Sequence, residues 1–263
     1  MPATQTNALN FNPNQLALTN IATYRRTIKA SIERVWENVL DWEHLPHLHD
    51  TSFNYVDLDD AGDWGWRTWS DDRRQGHIEL CVDETQYVAR SYRNGEQFSE
   101  IWTYLNPVAG YTDIRVEFWG TDVNPAKKEQ LGSLYTELYT QLWDEDEAMM
   151  IERERRLREP KSTETEINLG PKSSLQFPYR FKLKGKEFLL KEKNDCLNVQ
   201  PTICPHLLGP LSEQEDGTLL CPWHGYRFDS QSGECLSPAN ANCKLGSTPL
   251  IRTTSDNIII SYN

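Results

Sequence analysis

The sequence predicts an α+β chain in two parts: an antiparallel sheet that grips a long helix, then a small all-β domain. Three observations carry this reading. Between about Ser52 and Gly120, short segments rich in β-branched and aromatic residues alternate with Asp-, Gly- and Asn-rich turns. A helical pattern then runs from Pro125 to Arg158. From about Leu175 the chain returns to short strands and turns, and its 263 residues suffice for two separate cores.

Residues 1–18 are polar and read as a loose tail. TYRRTIKA reads as a strand, and SIERVWENVLDW as a helix with Ser31 as its N-cap. The strand run comprises FNYVDL, WGWRTW, HIELCV, QYVARSY, FSEIWTYL and TDIRVEFWG. Pro125 suits the first turn of the long helix, whose apolar stripe is Leu131, Tyr135, Leu138, Leu142 and Met149. Residues 159–174 hold Pro, Gly, Ser and Thr without periodicity and read as a linker between a first domain, 19–158, and a second, 175–263. In the second, YRFKLKG, KEFLLKEKN, TLLCPWHG and NIIISY read as strands.

A net charge of −12 argues against non-specific binding to nucleic acid or an anionic membrane and would suit a basic protein partner. The opening residues lack the apolar core of a signal peptide, and no run approaches the roughly 18 apolar residues of a membrane span. Six cysteines in a chain of this length do not read as a disulfide framework, so a reducing cytoplasm is the expected location. Cys81 and Cys196 fall in strand-like segments and read as core; Cys235 and Cys243 read as structural or free thiols. Nine Trp and eleven Tyr predict an aromatic core or cavity, with Trp64, Trp66, Trp102 and Trp119 as candidate cavity residues.

The C-terminal third carries a Cys-x-His pair, Cys204 and His206, and a Cys-x2-His pair, Cys221 and His224. Each pair is short enough for one loop, so two loops can clasp one metal centre. Two thiolates and two imidazoles are the mixed set that raises the potential of a [2Fe–2S] cluster above that of an all-Cys one. Pro205, Pro210 and Pro222 stiffen these loops, while Gly209 and Gly225 let backbone amides approach the sulfurs. A zinc knuckle could use the same four residues. The pairs, together with WHGYRFD and the following SGEC, resemble the Rieske family over roughly Leu175 to Asn263. Its high-potential members join the two loops by a disulfide. The corresponding positions here are Gly209 and Trp223, which resembles the disulfide-free branch of oxygenases and their ferredoxins.

The order of elements in the first part, with its opening IKASIERVWENVLDWEHLP, resembles the START-like (SRPBCC) helix-grip superfamily and implies an apolar ligand cavity. Asp41, His44 and His49 stand in the spacing D-x2-H-x4-H. Rieske oxygenases carry that motif in their helix-grip domain, where both histidines and a carboxylate from the last long helix bind a mononuclear iron(II) with open positions for O₂. The equivalent of Asp41 hydrogen-bonds an iron-ligating histidine and a cluster histidine, usually of a neighbouring subunit.

Helical geometry selects the carboxylate. With Leu142 at the centre of the stripe, Asp146 lies about 40° away, Glu145 about 60° off on the other flank, and Asp144 on the opposite side. Asp146 is therefore the expected third ligand and Glu145 the reserve. On a regular helix His44 and His49 would point about 140° apart, so the helix must break between them, and Pro46 is placed to break it. His47, one turn from His44, competes as a ligand. Without a metal, WEHLPHLH would be a polar loop closing the cavity.

The resemblance implies an oxygenase of compact, reversed domain order. It would hydroxylate or dealkylate an apolar or aromatic small molecule and form a cyclic homo-oligomer such as a trimer. A separate reductase or ferredoxin would supply electrons from NAD(P)H, because the chain shows no dinucleotide-binding fingerprint. The alternative is a non-enzymatic electron carrier or redox sensor whose first domain binds a hydrophobic ligand or partner.

Overall fold

The structure is a computed structural model that describes residues 17–239 and 241–262. Most of the tail expected over residues 1–18 lies outside the described residues. The chain divides into two compact units at Ile151/Glu152, inside the long helix and ahead of the boundary expected after residue 158. Arg156 supplies the physical reason: its guanidinium donates to the carbonyls of Leu208 (2.5 Å) and Gly209 (3.2 Å), so the last turns of the helix belong with the second unit.

The first unit holds β1 (Thr19–Ile28), α1 (Ile32–Leu40), α2 (Leu45–Leu48) and β2 (Asp57–Gly62). β3 (Gly65–Trp69), β4 (Gly76–Asp83), β5 (Gln86–Arg93), β6 (Glu96–Val108) and β7 (Tyr111–Gly120) follow, and then α3 (Lys128–Arg158) begins. The strands form one antiparallel sheet in the order β1-β7-β6-β5-β4-β3-β2. β1 closes the edge against β7, which returns the start of the chain to the end of the meander. The main core lies on the helix-covered face, where Val35 and Val39 of α1 and Trp143 and Met150 of α3 pack with Ile28, Trp66, Leu105, Val116 and Phe118; a smaller cluster of Cys81, Val88 and Trp102 lies on the other face. An antiparallel sheet with one face covered by helices gives the period-2 burial seen along β7.

Three expectations change. FNYVDL was expected as a strand, but only Asp57–Gly62 pairs with β3; Phe53 instead packs in the core ahead of it. The helix expected over 31–42 ends at Leu40. Asp41 leaves helical geometry (φ −89°, ψ 89°) and its carboxylate accepts the N–H of Glu43, starting a 3₁₀ turn over Trp42–His44. Pro46 is therefore not the breaker. It sits in the first turn of α2, where a missing N–H costs nothing.

The second unit is all-β. It holds β8 (Glu166–Pro171), β9 (Tyr179–Leu183), β10 (Lys186–Lys193), β11 (Cys196–Pro201), β12 (Ser212–Glu213), β13 (Thr218–Leu220), β14 (Arg227–Asp229), β15 (Cys235–Ser237), β16 (Leu250–Thr254) and β17 (Asn257–Ser261). They form three small sheets, β11-β10-β9, β12-β13-β14-β15 and β16-β17-β8. Phe181, Leu183, Phe188, Leu190, Ile258 and Ile260 make the core. The expected linker is thus partly a strand. β8 pairs with β17, and Ile167 and Leu169 pack on that core, so long-range pairing overrides the breakers Gly170 and Pro171.

Candidate metal centres

The four C-terminal motif residues lie on two loops of the second unit, one between β11 and β12, the other between β13 and β14. Backbone bonds fold each loop on itself. Cys204 N–H donates to Gly209 O (2.8 Å) and Leu211 N–H to Thr202 O (2.9 Å). Cys221 N–H donates to Tyr226 O (2.8 Å) and Gly225 N–H to Cys221 O (3.0 Å). Both cysteines are buried, and their side chains hydrogen-bond each other. That bond, with His224 beside it, draws the Cys221 thiol down, while the same bond and burial push Cys204 up. The His206 and His224 rings meet nearly perpendicular at 4.6 Å, and His206 stacks on Tyr226 at 4.3 Å. Paired thiols beside paired imidazoles fit a [2Fe–2S] cluster with Cys2His2 ligation.

Gly209 shows how tightly the pocket is built. A Cβ there would stand 2.6 Å from Cys221 Sγ and 2.9 Å from the Trp223 ring. Only glycine leaves the sulfur its place. The positions at which high-potential relatives would carry a disulfide are thus filled by this glycine and the buried Trp223.

In the first unit His44, His49 and Asp146 are all buried, and one ligand atom from each lies within 4.8 Å of the other two. Asp146 Oδ1 is 3.0 Å from His49 Nε2 and 3.5 Å from His44 Nε2. His44 (φ −73°, ψ −25°) closes the 3₁₀ turn in helical geometry, and His49 (φ −111°, ψ 40°) leaves it after the single turn of α2, which lets the two rings face Asp146 together. His47 is exposed and lies outside the group. Glu145 takes a different part from the one expected, since its Oε2 lies 2.6 Å from His49 Nδ1. Asp41 Oδ2 lies 3.7 Å from His44 Nδ1. Each imidazole thus keeps Nε2 toward Asp146 and Nδ1 toward a separate carboxylate, the arrangement that fixes a metal-binding histidine in one orientation.

Burial alone would push the Asp146 carboxyl up, but the hydrogen bond from His49 and the charges of His44 and His49 hold it below its ordinary range. Burial disfavours the His49 cation, yet Asp146 and then Glu145 outweigh it and raise that group. Buried, charged and oxygen/nitrogen-rich, this set fits a divalent cation as 2-His-1-carboxylate ligands. Sequence reasoning missed Asn38, whose amide donates to Asp146 Oδ1 (3.0 Å). Its signal was available: a polar residue beside Val35 and Val39 on the buried face of α1.

A cavity of about 220 Å³ opens beside these three residues, walled by Trp66, Leu80, Tyr87, Ile101, Tyr139 and Leu142 among others. Of the four tryptophans expected there, only Trp66 lines it, with its indole N–H donating to Val39 O (3.0 Å). Trp64, Trp102 and Trp119 pack instead with Cys81 and Val88. Alternation explains Trp102 and Trp119, because their neighbours Ile101 and Phe118 form the inward-facing pair. Trp64 precedes Gly65, whose φ of +123° breaks the alternation; a Cβ at Gly65 would lie 1.8 Å from Leu80 O.

Residues 166–252 match the Rieske [2Fe–2S] domain family. No curated protein matches the sequence. Among solved structures, the ferredoxin of carbazole 1,9a-dioxygenase from Nocardioides aromaticivorans is similar at 18% identity, covering 38% of this chain and 99% of its own, with a TM-score of 0.30. A START superfamily protein from Mycobacterium smegmatis is similar at 16% identity, covering 51% of this chain and 97% of its own, with a TM-score of 0.37. The quaternary ammonium Rieske monooxygenase CntA is similar at 14% identity and a TM-score of 0.36, covering 54% of this chain and only 40% of its own. The chain therefore carries a C-terminal Rieske [2Fe–2S] domain, a module of electron transfer, behind an α+β domain of antiparallel sheet and long helix. No helix among the described residues is long and apolar enough to cross a membrane.

Proposed function

We propose that the protein is a Rieske-type oxygenase in which a mononuclear iron(II) is held by His44, His49 and Asp146. The observation that carries this reading is the convergence of those three buried side chains on one point beside a largely apolar cavity, in a chain that also carries a Rieske domain. Iron bound there would supply O₂ activation, and the cluster held by Cys204, His206, Cys221 and His224 would supply single electrons.

The chain's own residues set the conditions. Asn38 and His49 orient Asp146, Glu145 holds the far nitrogen of His49, and Asp41 faces that of His44. His49 faces carboxylates at both nitrogens, and a cation binding at Nε2 would need that nitrogen free of its proton. Trp66, Leu80 and Ile101 exclude water and suit a compact apolar or aromatic substrate. Electrons would come from NAD(P)H through a separate reductase or ferredoxin, as the sequence holds no dinucleotide-binding fingerprint.

Iron stoichiometry tests the proposal. Reconstituted wild-type protein should hold three irons per chain, and His44→Ala should hold two with the visible spectrum of the cluster unchanged. Two irons in both forms would leave an electron carrier or redox sensor.

A further inference from the structure

Cys235 and Cys243 belong to neither ligand set, yet the backbone brings them together. Leu245 N–H donates to Gly233 O (2.9 Å), and Glu234 forms an antiparallel bridge with Lys244. That bridge is isolated, and Cys235 and Cys243 are the residues next to it on the two segments, where the same register continued would set them opposite each other. Opposed residues of an antiparallel ladder have Cα atoms about 4.5–5.5 Å apart. A disulfide spans roughly 4.4–6.8 Å.

We propose that Cys235 and Cys243 are a modification site, a thiol pair that a peroxide oxidises reversibly to a disulfide. Both are half-buried, within reach of a small oxidant, and β15, which carries Cys235, is the outer strand of its sheet. The thiols are near enough to feel each other's charge: burial, then Cys235, then Cys221 push the Cys243 thiol up. The Cys235 thiol now donates to Ser237 O (3.3 Å), a weak bond that turning toward Cys243 gives up. The remaining non-ligand cysteines differ: Cys81 is buried in the first unit, and Cys196, though exposed, is paired in register with Lys193.

The chemistry balances with hydrogen peroxide as the two-electron oxidant. One thiolate attacks a peroxide oxygen, giving a sulfenic acid and water. The second thiolate then attacks the sulfenic sulfur, the S–S bond forms, and the hydroxyl leaves as a second water. Two thiols and one peroxide become one disulfide and two waters, and a dithiol reverses the change. The crosslink would fasten the 243–245 segment to β15, close to the cluster cysteine Cys221.

The test treats the purified, cluster-loaded protein with hydrogen peroxide, blocks free thiols by alkylation, and maps digested peptides by mass. A peptide joining Cys235 to Cys243, two hydrogens lighter than its parts, is expected while the cluster absorbance persists. It should vanish on dithiothreitol treatment and in both Cys235→Ser and Cys243→Ser, whose visible spectra report that the domain is folded. Separate sulfinic acids at each cysteine, a link through Cys196, a link only between Cys204 and Cys221 as the cluster bleaches, or no link at all would each overturn the proposal.

Discussion

The two candidate metal centres are built in opposite ways. In the cluster pocket, each ligand pair sits within one short loop, and main-chain bonds such as Cys204 N–H to Gly209 O and Cys221 N–H to Tyr226 O hold it. In the first unit, His49 and Asp146 are far apart in sequence, and side chains hold the ligands: Asn38 on Asp146, Glu145 on His49, Asp41 near His44. A backbone-built site is vulnerable where the main chain is crowded. A side-chain-built site is vulnerable at its supporting shell.

Substitutions can break this contrast or sharpen it. Gly209→Ala should have the largest effect, because its Cβ would collide with Cys221 Sγ and the Trp223 ring and neither can retreat from a packed interior. At about 3 kcal/mol of overpacking, cluster retention should fall on the order of 10²-fold. The check is visible absorbance, with iron bound by the first unit unchanged. Glu145→Gln should weaken iron(II) binding in the first unit roughly tenfold, the low end for such a partner because glutamine still accepts from His49 Nδ1. Iron titration of protein with its cluster intact measures it. The smallest effect is expected of Asn38→Ala, which removes one bond to Asp146 worth about 1 kcal/mol, hence roughly fivefold in the same titration. Equal loss of both metals in any of these variants would abolish the distinction.

The same contrast governs how much could be read from the chain. The cluster motif was legible because its spacing is local: Cys204 and His206, or Cys221 and His224, share a loop whatever the rest does. Helix periodicity put Asp146 on the buried side of α3, although the buried residues there are Gly132, Trp143, Asp146, Glu147, Met149 and Met150, and of the predicted stripe Leu138 is exposed. Periodicity placed Glu145 near the site but could not show that it would meet the far side of His49. A break was expected between His44 and His49 at Pro46, but the chain leaves helical geometry before them at Asp41 and again at His49; a carboxylate turning back onto Glu43 N–H leaves no strong sequence mark. β8 was hidden because its order comes from pairing with β17, across most of the second unit. Trp64 was misplaced because Gly65 shifts the alternation, which counting residues cannot register, whereas Trp102 and Trp119 follow plain alternation from the inward pair Ile101 and Phe118.

Glu145 and Asp146 are consecutive residues of α3, and they take hold of opposite nitrogens of one imidazole. The ring of His49 is therefore held at both nitrogens by the carboxylates of adjacent residues of one helix. Tyr139 and Leu142 of the same helix wall the cavity, so one helix both grips the imidazole and bounds the apolar space beside it.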